Sequence, residues 1–338
     1  MIVFFQLILV LNCLPTVLNQ LSRNYDLHHL SNQEIRNVLK IMKPDRFEQI
    51  LDPILVPRVP GTKGHAEVRK FISDFLRNLS WTVEYDSFTS NTPFGKKNFT
   101  NIIATLDPTI ERRVIVACHY DSKLNREMTF LMATDSAVPC AMILSLAEDL
   151  AKPLKNLKKR SDDLTLQLVF FDGEEAFKHW TQQDSLYGSR HLAALWGKKK
   201  SVKDNKINQL KTIDAFILLD LIGAPNPNFY NYFEETAVLF NRLVTIEKKL
   251  HGMNQLVNHR VPNQYFKPHF MRAGIEDDHT PFYKKGVPVL HLITVPFPDV
   301  WHKESDTKEN LDFDVIRNLN KIFWSLMVEY LHLAQDNE

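Results

Sequence analysis

Cysteine is scarce in this chain: 338 residues hold three, Cys13, Cys118 and Cys140. An excess of charge of one sign is also missing. Lysine and arginine (41) nearly cancel aspartate and glutamate (40), leaving a formal charge of +1. That balance speaks against nucleic acid or a strongly acidic partner. The short basic run Lys198-Lys199-Lys200 reads as a solvated loop. Internal repeats and low-complexity segments are absent. The N-terminal apolar run, Ile2 to Leu14, is too short for the roughly 20 residues of a spanning helix. Gln6, Asn12 and Pro15 weaken a membrane helix further.

That run does suit the apolar region of a secretory signal, even without a basic residue before Arg23. A signal peptide over residues 1–19 is therefore expected, with a single domain over residues 20–338 and no stable membrane association after cleavage. Cys13 would leave with the signal, and Cys118 and Cys140 would remain as an even pair. Cys118 ends a predicted strand and Cys140 opens the next predicted helix. A disulfide between such neighbours is geometrically plausible, with two buried thiols as the plain alternative. Two sequons, Asn78-Leu79-Ser80 and Asn98-Phe99-Thr100, suit a glycosylated, secreted surface. Nothing calls for a second copy, and a monomer is expected.

What the chain does have is hydrophobic content, 44%, enough for a large core. Four apolar runs end alike. Arg113–Cys118 meets His119-Tyr120-Asp121, Leu166–Phe171 meets Asp172-Gly173-Glu174-Glu175, Ala215–Leu219 meets Asp220, and Val287–Leu290 meets His291. Runs of this length suit parallel strands buried on both faces. Ligands of open α/β sheets bind beyond the carboxyl ends of such strands, so acids and imidazoles from distant segments should meet in one crevice.

Between the runs, helical spacing predicts helices over 34–51, 65–79, 185–196, 229–250 and 311–333. A further helix runs to Leu150, capped by Asp135 or Ser136 with Pro139 in its first turn. Trp81–Tyr85 and Asn101–Thr105 read as strands, separated by a turn-rich stretch with Pro93 and Gly95. The alternation argues for one three-layer α/β/α domain with a mixed, mostly parallel central sheet.

A crevice lined by His119, Asp121, Asp135, Glu174, Glu175, Asp220 and His302 reads as a metal site, most simply zinc. An aspartate at a strand end is commonly a cap or turn residue. Several carboxylates gathered at one buried sheet edge are harder to account for without a cation. The adjacent pair Glu174-Glu175 is the sharpest hint. Successive residues point apart, so one can ligate while the other faces substrate as general base and then acid.

Longer motifs carry a resemblance. Ala117-Cys118-His119-Tyr120-Asp121-Ser122-Lys123, Ala133-Thr134-Asp135-Ser136-Ala137-Val138-Pro139-Cys140, Phe170-Phe171-Asp172-Gly173-Glu174-Glu175-Ala176-Phe177, Leu219-Asp220-Leu221-Ile222-Gly223-Ala224-Pro225 and Phe297-Pro298-Asp299-Val300-Trp301-His302 resemble the animal glutaminyl-peptide cyclotransferases. These belong to the zinc aminopeptidase-like α/β clan. The resemblance runs from about residue 30 to the C-terminus. It implies conversion of N-terminal glutamine of peptides and proteins to pyroglutamate with loss of ammonia. It further implies one zinc per chain on Asp135, Glu175 and His302, Glu174 as general base and acid, and Asp220 with Asp277 as a hydrogen-bonded carboxylate pair. Trp180, Ile275, Glu276, His291, Phe297 and Trp301 would shape the substrate pocket. Glu276 departs from the glutamine expected there. The competing reading is a secreted zinc aminopeptidase, since His119 and Asp220 look like the ligands of a second metal in those enzymes.

Overall fold

The computed structural model describes residues 25–336, except 126–129, 161–162, 261, 263 and 273. The expected signal peptide and Cys13 lie outside the described residues. Six strands form the central sheet: β1 (Thr82–Thr92), β2 (Gly95–Thr105), β3 (Arg113–His119), β4 (Thr165–Phe171), β5 (Ile213–Leu219) and, last in the chain, β8 (Val289–Leu292). Their spatial order is β1-β2-β4-β3-β5-β8. The β1–β2 hairpin joins antiparallel through β2–β4, whereas β4, β3, β5 and β8 run parallel. The sheet is thus mixed and mostly parallel.

Alternation along each strand sends successive side chains to opposite faces. Val114, Val116 and Cys118 of β3 face one hydrophobic core, and Ile115 and Ala117 face the other. The first core is the larger. It takes in α1 (Asn32–Ile41), α2 (Pro44–Leu51), α3 (Lys63–Asn78), α4 (Val138–Asp149), α5 (Ala151–Arg160), α7 (Ala237–Gly252) and α9 (Phe313–Tyr330). The second face is covered by α6 (Tyr187–Lys198) and α8 (Thr280–Tyr283). There Phe171, Phe216 and Phe282 stack with ring centroids 4.8–6.1 Å apart, each worth about 1.5–3 kcal/mol of burial. A two-stranded parallel ribbon, β6 (Phe229–Asn231) with β7 (Phe266–Phe270), lies outside the main sheet.

Several sequence expectations need correction. The helix expected over 34–51 is two helices, because Pro44 lacks an N–H and disfavours helical backbone at Lys43. The helix expected from Phe229 begins at Ala237, since Phe229 is taken by pairing with Phe266. Neither Asp135 nor Ser136 caps α4; a π-helical turn over Ala133–Ala137 leads into it instead. Their side chains are spent in the crevice, Asp135 on His119 and Ser136 on Asp220. His291 sits inside β8, not after it. Among the described residues, no helix is long and apolar enough to cross a membrane.

Candidate metal centre and active site

The carboxyl ends of β3, β4 and β5 deliver their polar residues to one edge. His119 closes β3, Glu174 and Glu175 follow β4, and Asp220 follows β5; all are buried. Asp135 arrives on the turn before α4, and His302 on the loop before α9. Asp135, Glu175 and His302 bring one ligand atom each to within 4.8 Å of one another. His302 Nε2 lies 2.9 Å from Glu175 Oε1 and 3.3 Å from Asp135 Oδ2. Donors about 2.0–2.1 Å from a tetrahedral zinc stand roughly 3.3 Å apart, so the set fits that ion. Charges reflect the same crowding. Burial alone would depress His302, but Asp135 and Glu175 outweigh it and push the imidazole up to about 9. Asp135 is held below its ordinary range, against its burial, by His119 and His302.

A second overlapping trio is His119, Asp135 and Asp220. His119 Nε2 contacts Asp135 Oδ1 at 2.8 Å and lies 3.6 Å from Asp220 Oδ1. Its Nδ1 is 3.5 Å from Asp121, at the limit of a hydrogen bond. Asp121 itself takes no part in either trio. Its two oxygens accept the main-chain N–H groups of Glu174 and Glu175 at 3.1 and 3.3 Å, fixing the backbone that aims both carboxylates.

Glu174 is buried, and among the described residues no hydrogen bond restrains its carboxylate. Burial raises it well above the ordinary carboxylate range, and the negative Glu175, Asp277 and Asp278 add to the rise. Such a group takes up a proton readily and can return it. Burial, with Asp277 and Asp135 close by, likewise raises Asp220 to about 6.

The implied hydrogen bond between Asp220 and Asp277 is not formed. Asp220 accepts from the Ser136 hydroxyl, and Asp277 Oδ2 pairs with His291 Nε2 at 2.7 Å. Each carboxylate has a separate donor, although Asp277 still raises Asp220. The same contact sets His291 beside Asp277, next to the cavity. It is buried behind Asp277 and does not line the cavity.

That cavity, about 340 Å³, opens over Asp135, Glu174 and Glu175. Trp180, Ile275, Glu276, Phe297 and Trp301 form its walls. Trp301 packs on His302 with centroids 4.1 Å apart, and its edge meets Phe297 at 4.9 Å. Glu276 stands at the rim, half open to solvent, with Oε2 3.4 Å from Trp180 Nε1 and Oε1 3.7 Å from Lys284 Nζ. Sequence reasoning gave no role to Lys123, whose Nζ donates to Glu175 Oε2 at 2.8 Å. The only signal for it was its place two residues after Asp121. Cys118 and Cys140 are buried thiols with Sγ atoms 2.9 Å apart, unbonded in this structure. Asn78 and Asn98 are exposed.

A mostly parallel sheet carrying histidine and carboxylate donors at its carboxyl edge defines an α/β class with a candidate metal site. Comparisons with known proteins narrow it. Residues 101–327 match the model of Peptidase family M28. The chain is 48% identical over 298 residues to "Glutaminyl-peptide cyclotransferase" of Bos taurus, covering 86% of this chain and 82% of that one. To the protein of that name from Drosophila melanogaster it is 44% identical over 317 residues, 91% and 87% of the two chains. Among solved structures, the glutaminyl cyclase of Macrostomum lignano superposes with a TM-score of 0.85 at 38% identity, covering 90% of this chain and 95% of that one. A Zn-dependent exopeptidase of Parabacteroides distasonis shares the fold, with a TM-score of 0.66 at 18% identity over 86% and 98% of the two chains. The chain belongs to peptidase family M28 and, within it, to the glutaminyl-peptide cyclotransferases.

Proposed function

We propose that this chain is a zinc-dependent glutaminyl-peptide cyclotransferase acting on peptides and proteins with N-terminal glutamine. The observation that carries the metal chemistry is the convergence of Asp135, Glu175 and His302 beneath a cavity whose wall includes Glu174. One zinc held there supplies Lewis-acid polarisation of the substrate γ-carbonyl. The chain's own residues do the rest. Trp180, Ile275, Phe297 and Trp301 hold the glutamine side chain folded back and limit water. Glu174 accepts a proton from the α-amine as that nitrogen bonds to the δ-carbon. It then returns the proton to the amide nitrogen, whose bond to the δ-carbon breaks, and ammonia leaves. Because attack is intramolecular, orientation alone provides a large share of the acceleration; well-aligned partners reach effective molarities of roughly 10⁵–10⁸ M.

Mass spectrometry of a glutamine-initiated peptide tests the reading. Incubation should remove one ammonia, and a chelator should abolish the loss. An unchanged peptide mass, or full activity in chelator, refutes it. A zinc aminopeptidase remains the second reading, favoured by the His119–Asp135–Asp220 trio. Against it, relatives at 44–48% identity are named glutaminyl-peptide cyclotransferase. Two zinc ions per folded chain together with cleavage of a leucyl dipeptide would establish the aminopeptidase.

The same reading makes residues 20–338 one secreted, monomeric catalytic domain. Support comes from the exposed sequon asparagines Asn78 and Asn98 and from a core continuous from α1 to α9. Cys118 and Cys140 are close enough to form the bridge with a small adjustment. Peptide mapping of the exported protein, for glycans and for the cystine, checks these points.

A further inference from the structure

Two buried side chains that stay outside the cavity hold the metal-bearing segments together. Arg58 is wholly buried, on the segment between α2 and α3. Its guanidinium donates to three main-chain carbonyls of a single loop: Leu131, Met132 at 3.0 Å and Asp135 at 3.2 Å. Its own backbone is joined to Ser122, donating to Oγ at 2.9 Å and accepting from the Ser122 N–H at 3.2 Å. The loop needs an outside hold, because Met132 sits in the left-handed region at φ +48° without being glycine.

Asp306 makes the second tie. Its Oδ1 accepts the Thr134 N–H and its Oδ2 the Thr134 hydroxyl, both at 2.9 Å. Its carbonyl accepts the Ala133 N–H at 3.1 Å. Asp306 lies four residues beyond His302, itself left-handed at φ +53°. One aspartate therefore pins the segment carrying His302 to the segment carrying Asp135. Neither Arg58 nor Asp306 lines the cavity.

We propose that Arg58 and Asp306 are positioning residues that assemble the Asp135 and His302 donors before the metal arrives, and so set how tightly zinc is retained. This rests on the reading that Asp135, Glu175 and His302 bind zinc. Partners of this kind, one step removed from the ion, typically shift metal affinity or activity by 10–100-fold when lost.

The test follows zinc release from the full, zinc-loaded chain into excess chromogenic chelator. Peptide kinetics and the melting of the metal-free protein are measured alongside. Asp306→Ala should release zinc about 10–100-fold faster. Asp306→Asn should largely restore retention, because its amide still accepts the Thr134 N–H and can donate to the Thr134 oxygen. Thr134→Val, which removes one hydroxyl and keeps the shape, should be intermediate; it preserves the test if Asp306→Ala does not fold. Arg58→Lys keeps the charge but cannot reach three carbonyls, and should also release zinc faster. KM at saturating zinc should stay unchanged. Asp135→Ala is the control for the underlying reading: if it holds zinc as tightly as the parent, the ligand assignment fails. If Asp135→Ala loses zinc while Asp306→Ala, Thr134→Val and Arg58→Lys release it at the parent rate, the positioning role is refuted. Release from Asp306→Asn as fast as from Asp306→Ala also refutes it.

Discussion

Metal binding should expel one proton, and the structure says from where. In the metal-free protein His302 Nε2 lies between Glu175 and Asp135, which raise its pKa to about 9. At pH 7.5 the ring is about 1.5 units below that value, hence roughly 97% imidazolium. Zinc needs the neutral ring, so close to one proton per zinc must leave. Deprotonation costs about 2 kcal/mol at pH 7.5, at 1.36 kcal/mol per unit. Zinc affinity should therefore rise about tenfold per pH unit between roughly pH 6.5 and 8.5 and flatten above about 9. Calorimetry in buffers of different ionisation enthalpy reads the proton count directly as a slope. Release near zero would refute the placement of His302 among the ligands. Release of two protons with two metals would bring in His119, whose pKa is raised despite burial by Asp121, Asp135 and Asp220. The same shift has a folding counterpart. A histidine with a raised folded-state pKa contributes stability that is fully present below about pH 6.5 and lost as pH rises through about 9. The metal-free protein should thus lose up to about 3 kcal/mol across that window.

Other expected outcomes are simpler. Glu174→Gln should retain zinc and lose about 10²–10⁴-fold in turnover; a near-normal rate in a peptide cyclisation assay would refute its role. Asp149, raised by burial to about 6, contributes stability present below about pH 4 and lost as pH rises through 6. Asp149→Asn should therefore stabilise the fold by about 1 kcal/mol at pH 7.5, after discounting for solvent screening, and not at pH 4; equal shifts in melting at both values would contradict this. Replacing Cys118 and Cys140 together should leave turnover intact and lower the stability of the exported protein by up to about 2–4 kcal/mol. Identical melting of oxidised and reduced protein would remove the bridge.

Much of the site was legible because an α/β sheet converts order along the chain into place. Strands that end in or run on into His119, Glu174 and Asp220 had to deliver them to one edge once the strands ran parallel. Asp135 and His302 stood among the candidate ligands, but only the longer motifs singled them out, since each comes from an irregular segment that no periodicity describes. The ties made by Arg58 and Asp306 left no local signal. An arginine followed by Val59-Pro60 looks like a linker residue, and only the folded loop reveals three carbonyls around it. The missed boundary at Pro44 and the missing Asp135 cap share a cause. Local propensity was read correctly in type, but a proline in one place and a crevice in the other claimed the residues involved.

The double grip of Asp121 on two consecutive amides has a mechanical consequence. Both peptide planes are clamped by one anion, so Glu174 and Glu175 are held as a unit. The cavity walls, by contrast, come from three separate segments, around Trp180, Ile275 and Trp301, so the width of the entrance is set apart from the spacing of these two carboxylates.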